Sequence, residues 1–123
     1  MAKYVDGFVL PVPKKNLAKY RQMAKEGAKI WKKYGALEYV EAVGDDMSPK
    51  MMGAKFVKFP QLAKVKPNET VVFSFITFKS RAHRDAVNAK LMKDPSMDKD
   101  MVMPFDMKRM AYGGFKSLVD FKK

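Results

Sequence analysis

An α+β domain with the element order β-α-β-β-α-β is what this sequence predicts, on three observations. Residues 16–34 place apolar or small side chains at Leu17, Tyr20, Ala24, Gly27, Trp31 and Tyr34, the three-and-four spacing of a helix with one inward stripe. Residues 71–78, VVFSFITF, are a near-continuous run of β-branched and aromatic residues, the composition of a strand covered on both sides. A second helical stretch and a last aromatic run follow that strand, so the β-α-β pattern occurs twice.

Taken in order, residues 3–12, KYVDGFVLPV, predict a first strand ended by Pro11 and Pro13. The helix over 16–34 turns Lys15, Lys19, Lys25, Lys29, Lys32 and Lys33 to its opposite face, and Gly35 closes it as a C-cap. Residues 37–43, LEYVEAV, alternate as a strand with one wet face near a sheet edge, and Gly44-Asp45-Asp46 turns the chain away. Residues 44–70 hold Pro49, Pro60 and Pro67 without a sustained period. So long a connection reads as a covering flap or a functional lid, with Phe56, Val57, Phe59 and Leu62 tying it down as a short extra strand. Ser80 is a plausible N-cap for a helix over 81–93 whose inner stripe is His83, Val87 and Leu91, and Asp94-Pro95 stops it. Five methionines fall between Met97 and Met110. Gly113-Gly114 then makes a bulge into a last strand over 115–121.

Two right-handed crossovers put both helices on one face of a four-stranded antiparallel sheet, the ferredoxin-like arrangement, as one domain over residues 1–123. Two helices shield one side only. The strand at 71–78 is apolar on both, so its other side needs a lid, and a second copy of the chain packed sheet against sheet fits better than the flap.

Composition bounds the rest. At 123 residues with 47% hydrophobic content the chain reads as one soluble core, with no apolar run long enough to span a membrane and no secretory signal. A cytoplasmic location is the default. The absence of cysteine excludes a disulfide framework, a thiolate metal site and a cysteine nucleophile. The net charge of +12 is spread along the chain and carried mostly by lysine, which argues for general solubility more than for base-specific nucleic-acid reading.

The blocks YVDGFVLPVPK, ALEYVEAVGDD, SRAHRDAVNAKLMKDP and MPFDMKRMAYGGF together resemble the YbaA-like family of bacterial proteins of unknown function, over nearly the whole chain. The resemblance implies a ferredoxin-like fold that pairs into a dimeric α/β barrel. It implies no activity, cofactor or catalytic residue. Residues 47–59, MSPKMMGAKFVKF, depart from it in being more basic and richer in methionine.

Two groups of residues are candidates for a site. His83, the only histidine, with Arg81 and Arg84 beside it, reads either as a general base or haem ligand in a cavity between sheet and helix, or as a hydrogen-bonded histidine at a helix start. Asp106, Lys108, Arg109 and Tyr112 read either as a holder for a carboxylate or phosphate, or as an Asp106–Arg109 pair that caps its own loop. Together they predict binding of a small organic or anionic ligand near His83 and Arg109, with the catalytic residues and any cofactor left unknown. No metal-ligand spacing or phosphate-binding glycine loop is present. The methionines from 97 to 110 either line an adaptable pocket or fill core gaps, and the lysine face of the first helix either tracks phosphates or is a solvated surface. An RNA-binding module of the same topology is the alternative, with Phe8, Phe73 and Phe75 as stacking platforms, although the basic-glycine-aromatic motif of such domains is missing.

Overall fold

The computed structural model describes residues 3–97 and 101–123. Its first strand, β1, spans Tyr4–Pro13 and runs through both prolines that the sequence predicts to end it. The register explains why they are tolerated. Lys3 N–H donates to Ser117 Oγ at 2.8 Å, whereas Lys14 N–H donates to Asn68 O at 2.9 Å, so odd-numbered residues of β1 turn their backbone groups toward the last strand and even-numbered ones toward the third. Pairing with the last strand stops at Val9↔Ala111, and Pro11 and Pro13 therefore lie where no partner asks for an N–H.

One 3-10 turn, Lys14–Asn16, leads into α1, Leu17–Lys33. The helix ends as its glycine predicts: Gly35 takes φ +106°, its N–H donates to Lys32 O at 3.2 Å, and Ala36 N–H donates to Trp31 O at 3.1 Å. β2, Glu38–Val43, is an edge strand. In the long connection, Phe59–Leu62 forms a single helical turn, α2, with Pro60 in its first turn, rather than the short strand expected there. β3, Glu69–Phe78, begins two residues earlier than its apolar run. α3, Arg81–Leu91, starts at Ser80, whose Oγ accepts His83 N–H at 3.1 Å, and ends two residues before the expected Lys93.

The last strand, β4, is Ala111–Lys116, earlier than the 115–121 expected. Its ladder with β1 pairs Asp6↔Gly114 and Gly7↔Gly113 and ends at Tyr4↔Lys116, beyond which the aromatic run has no partner strand among the described residues; Leu118, Val119 and Phe121 are exposed. The glycine pair therefore makes no bulge. It keeps regular pairing, and the missing side chain at Gly114 leaves room for the Tyr4 phenol ring.

The sheet order β2-β3-β1-β4, antiparallel throughout, with α1 and α3 on one face, is the ferredoxin-like fold. Leu10, Val12 and Val72 pack under Tyr20 and Ala24 of α1, and Ile76 and Phe78 pack against Val87 of α3. The opposite face presents Val40, Phe73 and Phe115, exposed to 37%, 44% and 62%. Among the described residues, Gly44 and α2 cover one end of it. Gly44 packs on Val71, and Phe59 of α2 stands edge-on to Phe73 with ring centroids 6.3 Å apart.

Candidate functional site

Helix α1 does not close on the sheet along its whole length. A cleft of about 960 Å³ opens on one side of it and one of about 490 Å³ on the other, and Tyr20, Ala24, Tyr39 and Glu41 line both. Alternation along β2 sets the arrangement. Tyr39↔Ile76 and Glu41↔Ser74 put both side chains on the helix-covered face, while Tyr20 on the inner stripe of α1 comes down to meet them. Tyr20 Oη donates to Glu41 Oε1 at 2.7 Å and Tyr39 Oη donates to Glu41 Oε2 at 2.6 Å.

The carboxylate thus bridges helix and sheet through two phenols. Both phenols are pushed far above their ordinary range, first by burial and then by the bond to Glu41, so they stay protonated donors throughout the physiological range. Buried Ser74 lies beside Glu41 on the floor, and Trp31, 5.8 Å from Tyr39 between ring centroids, forms part of the wall. The larger cleft is closed along one side by Met97, Met101, Met103, Met107 and Met110. The methionine run therefore takes both roles open to it, since Met110 also packs against the core around Leu10.

The residues singled out from the sequence lie elsewhere. His83 Nδ1 accepts Lys79 N–H at 3.0 Å and its ring stands edge-on to Phe78 at 5.8 Å, which makes it part of the start of α3; Arg81 is exposed. Arg109 closes a fork on Glu69, at 2.7 and 2.6 Å, with further bonds to Asp106 Oδ2 at 3.1 Å and Lys64 O at 3.3 Å. Asp106 caps the 3-10 turn Met107–Arg109 by accepting Lys108 N–H, which with the Arg109 guanidinium holds its carboxyl below the usual range.

The Lys108 side chain is exposed, and Tyr112 turns away from this group altogether. It stacks on Phe8 at 4.7 Å and hydrogen-bonds Arg84 and the buried Asp6. Arg84 Nη1 reaches Asp6 Oδ1 at 2.7 Å while its guanidinium lies 5.0 Å from the Tyr4 ring centroid. His83 and Arg109 are thus not brought together, and none of the six residues lines either cleft. The stacking platform of the RNA reading also divides, because Phe8 lies on the helix-covered face and Phe73 and Phe75 on the other. Among the described residues no group of three or more His, Asp or Glu is placed to hold a metal ion, and no helix is long and apolar enough to cross a membrane.

Sequence reasoning missed the Glu41 group. Its one local signal was Tyr39-Val40-Glu41, a phenol and a carboxylate two residues apart in a strand and so on one face. That Tyr20 completes the group depends on how α1 crosses the sheet.

Comparison with known proteins agrees with this architecture and adds no chemistry. A family model described as a protein of unknown function (DUF1428) matches residues 3–107. The uncharacterized protein YbaA of Escherichia coli strain K12 is 45% identical over 119 residues, covering 96% of this chain and 98% of that one, and YbaA of Shigella flexneri matches equally. A solved dimeric ferredoxin-like protein from an uncultured marine organism superposes with a TM-score of 0.60 over the full length of both chains, at 12% identity.

Proposed function

From the premise that the chain belongs to this family of proteins of unknown function, we propose that it is a cytoplasmic homodimer whose subunits each bind a small, mostly apolar organic molecule in the cleft beneath α1. The cleft carries this reading. A space of about 960 Å³ with aromatic and thioether walls and a few converging polar groups is the usual form of a small-molecule site.

Pairing is supported separately by the exposed apolar sheet face and by the solved ferredoxin-like neighbour, itself a dimer. Sheet-to-sheet association buries that face and leaves the helix side open to ligand.

The only tryptophan of the chain lines the cleft and reports on it. Titration with the neutral fluorophore N-phenyl-1-naphthylamine is expected to quench Trp31 saturably, at one molecule per subunit. Gly27→Leu directs a side chain into the cleft from a helix position where a Cβ meets only ordinary contacts, 3.6 Å to Trp31 and 3.7 Å to Tyr39, and is expected to lose binding with the helical circular dichroism of the parent chain retained. Quenching that never saturates, or that Gly27→Leu leaves intact, refutes the site. Sedimentation at micromolar concentration is expected to give a dimer that Phe73→Lys converts to monomer; a monomeric parent chain refutes the pairing.

A further inference from the structure

Glu41 is an unusual group to find in such a cleft. Among the described residues it takes part in none of the ion pairs, although the chain carries a net charge of +12. Its neighbours are instead two phenols, a serine and a wall of rings and thioethers. A half-buried carboxylate with no cation beside it among the described residues is partly desolvated, and two neutral hydrogen bonds offset only part of that cost. Each oxygen accepts one phenolic proton and keeps a further acceptor direction.

Resting on the reading of the cleft as a ligand site, we infer that its ligand is an organic cation: a protonated amine or quaternary ammonium on an apolar body. The ammonium supplies a countercharge that none of the described ion pairs gives Glu41. The rings of Tyr20, Tyr39 and Trp31, which line the cleft around the carboxylate, present π-electrons that attract the same charge, and the polarisable sulfurs of Met97, Met101 and Met103 suit the apolar remainder.

Charges at the mouth do not reverse this preference. Lys19, Lys29 and Lys33 stand at the rim of the larger cleft, with Arg21 and Lys25 at the smaller. Their residues are exposed, Lys29 and Lys33 are held by Glu26 and Asp94 at 3.5 and 3.3 Å, and water and salt screen what remains. Glu41, half-buried where it lines both clefts, is less exposed than these cations and less screened by solvent.

The test compares four ligands of one shape on the intact protein by Trp31 fluorescence and calorimetry: phenethylamine, its trimethylammonium analogue, 2-phenylethanol and 3-phenylpropanoate. The two cations are expected to bind about tenfold or more tightly than the alcohol, and the propanoate most weakly. Glu41→Gln keeps the acceptor for Tyr20 or Tyr39 and is expected to bring cations and alcohol to equal affinity. Should that variant misfold, a rise in pH gives the same answer on the unaltered chain. Phenethylamine loses its advantage as it deprotonates, while the quaternary analogue keeps it. Equal binding of alcohol and cations to the unaltered protein, or tighter binding of the propanoate, overturns the organic-cation assignment while leaving the cleft a ligand site. Absence of saturable binding by all four ligands and by N-phenyl-1-naphthylamine overturns both.

Discussion

Replacing Glu69 by glutamine tests the electrostatic clamp at the base of the 44–68 connection. The Glu69 side chain is 5% exposed, and the Arg109 fork, together with Lys66 N–H at 2.8 Å, holds its carboxyl at about 2, against an ordinary value of 4.5. At about 1.4 kcal/mol per pH unit the difference amounts to about 3 kcal/mol, and solvent at the Arg109 edge, 21% exposed, screens this to about 2 kcal/mol.

The sign follows from the direction of the shift. A carboxyl held low in the fold stabilises it while ionised, so the contribution is complete above pH 4.5 and is lost as the pH falls from 4.5 toward 2. Urea unfolding followed by Trp31 fluorescence is expected to show Glu69→Gln about 2 kcal/mol less stable at pH 7, with the gap between the two proteins closing below pH 4. Arg109→Met is expected to cost more than Glu69→Gln, because the partner it abandons is the more deeply buried member of the pair. A gap between Glu69→Gln and its parent that stays constant from pH 7 to pH 3 refutes the reasoning, since it would arise from packing and not from charge.

Two further substitutions probe the opposite end of the sheet. Arg84→Met leaves buried Asp6 with only the Tyr112 phenol and is expected to cost about 3 to 5 kcal/mol by urea unfolding, whereas a loss under 1 kcal/mol shows the carboxylate reaching water by another route. Gly114→Ala drives a methyl group into the Tyr4 ring and is expected to cost about 1 to 3 kcal/mol; adding Tyr4→Ala should recover part of it, and strictly additive losses would show that the two do not collide.

Much of the fold is legible in local pattern. The period of 16–34, the doubly apolar strand, the Ser80 cap and Gly35 each act within a few residues, and each element formed where those signals lie. Boundaries moved where a distant partner decides them. Gly113-Gly114 reads locally as a break, yet pairs regularly because Tyr4, more than a hundred positions away, fills the space; Leu118 to Phe121 reads as a strand, yet pairs with no strand among the described residues.

The same limit applies to the polar residues. The Asp106–Arg109 contact spans three residues and was visible, while Glu69, forty positions earlier and the stronger partner, was not. Alternation over 37–43 predicts an edge strand with one wet face and leaves open which face carries Glu41. Only the path of α1 over β2 places Glu41 inward and hands its carboxylate to Tyr20.

The prolines of β1 have a last consequence. Where β4 stops short, β1 runs on paired to β3 alone, and this stretch is packed within the fold: Pro11 is fully buried, with Phe105 and Met110 against the neighbouring core. Pro11 and Pro13 carry no N–H on the side that β4 has left, so no backbone donor is stranded there out of reach of water.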